Sequence, residues 1–290
     1  MADSDNYFRA GVQLVGTCNG LLCLCSNNKP GGVIMVVNPS TRQKLRVSPL
    51  RGAGLFVGSR RRPVGWDQAY SFGYHPITGR YKVVHVPCSF DRVCEFEAVH
   101  VLTLGEAAWR EVPLVIPGAG GAKCNLDAGV VSINAATHWF TGGDSARIMS
   151  FDLQDERIIS TPLLPALPAE RDRYYLTEVH GRLGVAIWDG SVKTEVWVLN
   201  EERWSRWYTL RRDIPRPHFA YGEYVLTRIS LSFDVHREKG RWLSGERAMS
   251  QVYQGSRGWP VAEMTGDTYC YRTFAYVETA EPLDNSLVGY

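Results

Sequence analysis

The sequence predicts an all-β protein, built as a β-propeller of about six four-stranded blades. The apolar segments are short, about 4 to 7 residues, rich in Val, Ile, Tyr, Phe and Trp, and separated by Gly, Asn, Asp or Pro. No long segment shows the 3.6-residue periodicity of an amphipathic helix. A unit of two hairpins recurs roughly every 48 residues, and a repeat of this length with four strands per unit is typical of propeller blades.

The segment from Gly16 to Leu50 shows how one such unit is built. Leu21–Cys25 is apolar without alternation, so we expect an inner strand that is buried on both faces. Val33–Val37 is its predicted partner. The Asn38-Pro39 turn then directs the chain back into the outer strand of the blade.

Further pairs of strand-like segments flank turn residues in the same way. The predicted hairpins are Val33–Val37 with Lys44–Val47, Tyr70–Tyr74 with Tyr81–Val86, Glu97–Leu102 with Trp109–Val112, Val130–Ile133 with His138–Thr141, Arg147–Phe151 with Arg157–Thr161, Tyr175–Val179 with Leu183–Trp188, and Thr194–Leu199 with Trp204–Tyr208. Beyond Pro215 the pattern weakens, with strand-like runs at Tyr224–Phe233, Gln251–Tyr253 and Tyr269–Val277.

Alternate hairpins end on a similar sequence, which sets the length of the repeat. Pro49, Pro113 and Pro162 occupy matching positions, and Thr209 continues the series at intervals of 64, 49 and 47 residues. The longer first interval is explained by one inserted loop, Arg51–Trp66. A single four-stranded sheet leaves both faces open, so stacking such sheets around an axis buries each face against the next.

Composition restricts the class of partner and the compartment. Of 290 residues 44% are hydrophobic, which excludes wholesale disorder, and 32 basic against 30 acidic residues give no support for nucleic-acid binding. No apolar run is long enough to span a bilayer, and the acidic N-terminus lacks the apolar region of a secretory signal. Seven scattered cysteines predict reduced thiols in the cytoplasm, the nucleus or both.

The cysteines give no metal-binding pattern. Cys18, Cys23 and Cys25 lie in or beside the predicted inner strand, where a thiol acts as a small apolar side chain. Cys88 and Cys94 flank a loop without a histidine pair at zinc spacing. We therefore expect no metal site.

No catalytic or cofactor motif is present either. None of the seven histidines lies in an HExxH motif, no serine lies in a GxSxG motif, and Gly118–Gly121 lacks the lysine and helix of a phosphate-binding loop. We expect no catalytic residue and no cofactor, and hence no enzyme.

Basic residues near tryptophans are the candidates for partner binding, because Arg and Trp are enriched at the energetic centres of protein interfaces. The alternative is that they belong to solvated loops. Recurrence of Trp109 and Trp204 at matching strand starts favours a packing role for those two rings. The candidates are Arg60, Arg61, Arg62, Trp66, Arg211 and Arg212.

Several motifs resemble a known family. Cys18–Cys23 followed by Asn38–Arg42, together with Phe72–Val84, is similar to the F-box-associated domain of plant F-box proteins. Weaker similarities follow at Val99–Pro113, Asn134–Phe140, His180–Leu183 and Tyr271–Leu283. The resemblance implies a kelch-like propeller domain over residues 11–283, between tails at 1–10 and 284–290.

The resemblance also implies a function. This domain is the substrate-recognition part of receptors for Skp–cullin–F-box ubiquitin ligases, so the expected partners are target proteins. In the family a helical F-box precedes it, and Met1–Val15 are too few residues to form that unit. We therefore expect no adaptor binding by this chain. It is either a shortened piece of a longer receptor or a natural form without the F-box, and the natural form could act as a competitor for a target.

Other functions remain open from the sequence alone. A propeller can carry a small-molecule, glycan or enzymatic site at the mouth of its channel. Clustered carboxylates or histidines in a deep pocket would favour that function, whereas a flat rim of arginine and aromatic residues would favour protein binding. The predicted long loops, where binding residues usually concentrate, are Arg51–Trp66, Pro87–Phe96, Pro117–Asp127, Leu164–Arg173 and Leu210–Tyr221.

Overall fold

The computed structural model divides the chain into two compact units, residues 1–164 with 274–290, and residues 165–273. The described residues are 12–29, 31–50, 52, 66–87, 95–115, 122–141, 147–165, 174–188, 193–211, 217–221, 224–229, 232–237, 251–254, 259–263, 278–280 and 283. The predicted boundaries at residues 11 and 283 stay predictions.

The described residues of the first unit form three four-stranded antiparallel sheets and one two-stranded pair. The first sheet consists of β1 (Val12–Cys18), β2 (Leu21–Ser26), β3 (Val33–Asn38) and β4 (Gln43–Arg46). The second consists of β5 (Tyr70–His75), β6 (Arg80–His85), β8 (Ala98–Thr103) and β9 (Arg110–Pro113). The short strand β7 (Glu95–Phe96) lies between β6 and β8 in the sequence but outside this sheet. β10 (Ala122–Lys123) pairs with β7. The third sheet consists of β11 (Val130–Ile133), β12 (Ala136–Phe140), β13 (Ile148–Asp152) and β14 (Ile158–Ile159). Two 3₁₀ helices, Trp66–Ala69 and Leu126–Ala128, precede the second and third sheets.

Within the residues described for the second unit, seven strands form one sheet and two more form a separate pair. The first four strands are β15 (Tyr174–Val179), β16 (Arg182–Trp188), β17 (Lys193–Asn200) and β18 (Arg203–Arg211). They are followed by β19 (Pro217–Tyr221), β20 (Tyr224–Ile229) and β21 (Ser232–Arg237), with β19 parallel to β15. The separate pair is β22 (Gln251–Gln254) and β23 (Trp259–Glu263). The described part of the chain has no helix long and apolar enough to cross a membrane.

The predicted all-β fold of four-stranded antiparallel units is confirmed, and each predicted hairpin is present. The number of about six blades stays a prediction. The run predicted at Tyr224–Phe233 is two strands, β20 and β21, and the one at Tyr269–Val277 lies outside the described residues.

The first sheet requires one correction. Leu21–Cys25 was expected to be the inner strand, but β1 precedes it at the edge of the sheet, so β2 is a central strand. A central strand of a stacked sheet has neighbours on both faces, which explains why β2 is apolar without alternation. The predicted turn is present, because the buried Asn38 accepts hydrogen bonds on Oδ1 from the amides of Ser40 and Thr41, at 2.9 and 3.2 Å.

Glycines allow neighbouring sheets of the first unit to approach closely. A Cβ atom on Gly16 of β1 would lie 3.2 Å from Cβ of Phe72 on β5. A Cβ atom on Gly73 of β5 would lie 2.6 Å from Leu153, which follows β13 of the third sheet. The apolar faces therefore meet in one core, whose fully buried members include Val36 and Val83.

Each four-stranded sheet has two unlike ends. The turns that join its first two and last two strands lie at one end, which we call the turn end. The middle loop and the entry and exit of the chain lie at the opposite, loop end, because the strands alternate in direction. The three described sheets of the first unit share this orientation, and for the third sheet this follows from the pairing of Lys82, near the start of β6, with Glu156 in the β13–β14 turn. Asn19 in the β1–β2 turn donates to the hydroxyl of Tyr81 near the start of β6 at 3.3 Å, and Tyr70 at the start of β5 donates to the carbonyl of Gly31 between β2 and β3 at 2.5 Å.

The C-terminal residues cross the turn end of the first sheet. Asn19 and Gly20 have φ values of 47° and 76°, as a tight hairpin turn requires. A Cβ atom on Gly20 would lie 2.8 Å from the backbone nitrogen of Thr279. The buried Leu283 donates its amide to Oε1 of Gln43 at 2.6 Å. Residues near both ends of the chain are therefore held together at this point.

The Gly20→Ala substitution is expected to destabilise the chain more than Gly181→Ala does. Both glycines have positive φ in equivalent hairpin turns, but nothing lies within 4 Å of a Cβ on Gly181. Left-handed strain costs each alanine about 1 kcal/mol, and the clash with Thr279 adds roughly 2 kcal/mol for Gly20→Ala. Urea unfolding of both variants measures the difference, and equal losses would show that the Thr279 contact is unimportant.

Candidate protein-interaction surfaces

Two of the predicted long loops leave and re-enter the first unit at its loop end. Leu50 and Trp66 flank the loop inserted after the first sheet, and Pro87 and Glu95 flank the loop within the second. All four lie where a strand enters or leaves the loop end. Sequence reasoning located these loops but could not decide whether they share an end of the fold.

The described bases of these loops are fixed by hydrogen bonds. Asn27 Nδ2 donates to Oδ1 of Asp67 at 2.8 Å, and the amide of Asp67 donates back to Oδ1 of Asn27 at 3.2 Å. Trp139 Nε1 donates to the carbonyl of Lys123 at 3.1 Å, and Lys123 pairs with Glu95 at 3.0 Å. A rigid base of this kind is how a scaffold positions binding loops.

The structure corrects the expectation for Trp66. This residue is 4% exposed and starts a 3₁₀ helix, and its Cβ would lie 3.1 Å from a Cβ placed on Gly32. The indole therefore packs in the core and is not available to a partner. Because Trp66 begins an ordered element, the inserted loop is shorter than predicted.

The arginines stay predictions. Arg60, Arg61, Arg62 and Arg212 lie outside the described residues. Arg211 ends β18, where its backbone is paired with that of Lys193, and its side chain lies outside the described part of the structure.

A cluster at the turn end of β15–β18 was not predicted. β18 contains a β-bulge, since Val196 pairs with Tyr208 and Trp197 pairs with Arg206, leaving Trp207 as the extra residue. A bulge re-aims the side chain that it carries. The Trp207 indole is half-buried and packs against the small core of Val179, Ala186, Val196 and Val198.

Hydrogen bonds connect Trp207 to the neighbouring turns. Arg182 donates to Oδ1 of Asn200, and its guanidinium carbon lies 5.5 Å from the centre of the Trp207 ring. Asn200 Nδ2 and Trp207 Nε1 both donate to Oγ of Ser205, each at 2.9 Å. The ring of the exposed His180 lies 5.8 Å from that of Trp207. We call these five residues the Arg182–Trp207 cluster.

The sequence predicts the positions of Arg182 and Asn200 in this cluster but not the direction of Trp207. The His180-Gly181 turn places Arg182 at the start of β16, and Asn200 at the end of β17 follows from the next turn. No residue pattern marks the bulge, however, and without it Trp207 has no predictable direction.

The buried histidines have structural surroundings. Burial lowers the pKa of His85 to about 3, and its Nδ1 lies 3.4 Å from Nδ1 of His100. Burial lowers the pKa of His138 to about 4, and its Nε2 donates to the carbonyl of Ile133 at 3.2 Å. Both rings lie inside sheets, where a neutral imidazole fits a packing role.

The cysteines near β2 pack as predicted. Cys23 and Cys25 are fully buried, and the half-buried Cys18 lies against the same core. Burial raises the pKa of the Cys23 and Cys25 thiols far above their usual range. Across the described ranges, no three His, Cys, Asp or Glu residues are grouped so that they could hold a metal ion. Cys88 and Cys94 lie outside those ranges.

Residues 3–240 match the model of the F-box associated beta propeller domain family. An Arabidopsis thaliana F-box/LRR-repeat protein is 29% identical over 213 residues, covering 68% of this chain and 46% of the relative. An F-box/LRR-repeat/kelch-repeat protein of the same plant is 26% identical over 212 residues, covering 66% of this chain and 53% of the relative. The chain spans about half the length of these curated relatives.

Among solved structures, TolB from Acinetobacter baumannii aligns with a TM-score of 0.46 at 13% identity, covering 77% of this chain and 50% of that chain. The family match, together with the four-stranded antiparallel sheets, confirms the predicted β-propeller class.

Proposed function

The chain belongs to the F-box associated β-propeller domain family, and from that premise we propose that it is a protein-interaction module that recognises target proteins. The matched relatives are plant F-box proteins, which supports a role in substrate recognition for ubiquitin ligases. Because the chain spans about half of each relative, adaptor docking and ubiquitin transfer are proposals about a whole protein. The competitor role stays a prediction of the same kind.

The observation that carries this proposal is the anchored loop end. Loops that start from fixed bases can vary in sequence while the sheets stay the same, and this suits recognition of diverse proteins. The Asn27–Asp67 pair and the Trp139–Lys123 hydrogen bond are such bases. His138, which is buried and hydrogen-bonded on both ring nitrogens, fits a structural role in such a scaffold.

Affinity capture from plant extract followed by mass spectrometry tests the proposal. The intact chain should enrich specific proteins, and Arg61→Glu should reduce their yield about tenfold, the effect of removing one interface hot spot. Arg157→Glu is the matched control, because Arg157 is 68% exposed and pairs with Asp155 at the turn end. Both variants should melt within a few degrees of the unchanged chain.

Two outcomes would contradict this function. One is that no protein is enriched by the intact chain over a loop-deleted version lacking Gly52–Gly65. The other is that Arg157→Glu reduces the yield as strongly as Arg61→Glu, which would show that binding does not depend specifically on the loop end.

A further inference from the structure

We propose that the Arg182–Trp207 cluster binds the carboxylate of an acidic residue in a partner protein. The inference rests on the proposed function for the nature of the partner, and it adds a site at the turn end of β15–β18. The observation that supports it is that neutral groups, and no carboxylate among the described residues, contact the Arg182 side chain.

Arg182 is oriented by neutral groups, which distinguishes it from the arginines that form ion pairs. Arg110, Arg157 and Arg206 each pair with a carboxylate, Glu156, Asp155 and Glu195 respectively. Arg182 instead donates to the amide oxygen of Asn200 and lies beside an indole. Within the described part of the chain, no carboxylate lies within 4.0 Å of its guanidinium, so its charge has no ionic partner there.

The guanidinium keeps donors for an incoming ligand. Arginine has five N–H donors in a planar fork, and the Asn200 contact uses the NH1 nitrogen. The remaining donors match the two oxygens of a carboxylate, a pairing that is charge-assisted and directional. Since Asn200 and Trp207 already hold the side chain, binding orders it at little further cost in conformational entropy.

The surroundings of Arg182 have the composition of an interface hot spot. The Trp207 indole is half-buried and fixed by its bond to Ser205, so it offers an apolar surface without a mobile side chain. Trp and Arg are the residues most enriched at such positions. The exposed His180 adds a second polar ring at the edge of the same surface.

The local charge favours a carboxylate over a phosphate. The exposed Glu201 and Glu202 follow Asn200 directly in the β17–β18 turn. Both glutamates repel any incoming anion, and they repel a dianionic phosphate about twice as strongly as a singly charged carboxylate. We therefore assign an aspartate or glutamate of the partner as the ligand, and a phosphoserine becomes an outcome of the test.

Selection from a random dodecapeptide phage library tests the site without knowledge of the target. The intact chain should enrich peptides with Asp or Glu at one position, and synthetic copies should bind about tenfold more weakly to Arg182→Gln. Arg206→Gln is the matched control, since Arg206 lies in the same sheet and is paired with Glu195 at 2.8 Å. It should keep the affinity within about twofold. Replacing the acidic residue of the peptide by Gln should reproduce the loss, and replacing it by phosphoserine should not improve binding.

The inference is overturned if no peptide is enriched, if the enriched peptides share no acidic residue, if Arg182→Gln binds them equally well, or if phosphoserine binds more tightly than glutamate. Circular dichroism of Arg182→Gln verifies that the exposed substitution leaves the fold intact. Acidic peptides that depend on Arg182, together with an empty affinity capture, would support this site while contradicting the proposed function. If proteins are captured and bind Arg182→Gln as well as the unchanged chain, the proposed function is supported and the Arg182 site is contradicted.

Discussion

Replacing Glu156 by Gln is expected to lower the free energy of unfolding by about 3 kcal/mol. Glu156, in the β13–β14 turn, accepts from Nζ of Lys82 at 2.7 Å and from both terminal nitrogens of Arg110 at 2.6 and 2.8 Å. These partners belong to the second sheet, so the carboxylate joins it to the third. The Lys82 side chain is 9% exposed, and without Glu156 its ammonium group would be buried with no opposite charge.

The adjacent residue offers a matched control. Asp155 pairs with Arg157 at 3.3 Å in the same turn, but both side chains are about half exposed or more. Asp155→Asn should therefore cost less than about 0.5 kcal/mol. Urea unfolding measures both variants, and the double variant Lys82→Met with Glu156→Gln should recover part of the loss. Similar losses for Glu156→Gln and Asp155→Asn would contradict a special role for this buried carboxylate.

Acidification is expected to destabilise the fold steeply below pH 6.5, because two buried histidines must stay neutral. The pKa of His85 is lowered to about 3 and that of His138 to about 4, from an ordinary value of 6.5. In His138 the Nε2 proton is donated to the carbonyl of Ile133, so Nδ1 accepts from the hydroxyl of Ser150 at 2.7 Å. Burial also lowers the pKa of His100 beside His85.

The direction in which stability changes with pH follows from the number of protons that the folded and unfolded chains bind. Below pH 6.5 the unfolded chain binds a proton at each histidine while the folded chain does not, so stability falls as pH falls toward 4. Each histidine contributes a slope of about 1.4 kcal/mol per pH unit, or about 2.8 for the pair. Hydrogen bonds from Arg110 and Lys82 lower the pKa of Glu156 to about 2, so its contribution is lost only below pH 4.5.

Urea unfolding at a series of pH values between 6.5 and 4.5 measures this slope. His138→Gln removes one titrating ring, so the slope should fall by about 1.4 kcal/mol per pH unit whatever the variant's absolute stability. A slope that is near zero in the unchanged chain, or one that His138→Gln leaves unaltered, would show that these histidines are solvated in the folded state.

The hairpins could be predicted from the sequence because each depends on local chemistry. Asn38 illustrates this, since its side chain caps its own turn through the amides of Ser40 and Thr41. β1 was missed because Val12–Cys18 is only partly buried, so its apolar signal is weaker than that of β2. Trp109 packs against the core of the first unit, as expected, and its indole nitrogen donates to the carbonyl of Ser48, just after β4, at 2.6 Å.

The candidate sites were harder to predict because they depend on contacts between distant segments. Trp66 looked like part of a basic loop, but its burial is decided by β2 and the loop after it, far away in sequence. The direction of Trp207 is set by a one-residue bulge that no composition signals. An arginine held by neutral groups differs from one in an ion pair only in what lies beside it in three dimensions, as Arg182 and Arg206 show.

Hydrogen–deuterium exchange of the chain with and without a captured target tests most directly the proposal that the fold binds proteins through its surface without performing chemistry on them. Under this proposal, a bound target slows exchange in peptides at the loop end or in the turns at 180–182 and 200–203. Central strands such as β2 and β6 should exchange equally in both states. Protection that spreads through the central strands, or a captured target that leaves the incubation covalently altered by the chain alone, would contradict it.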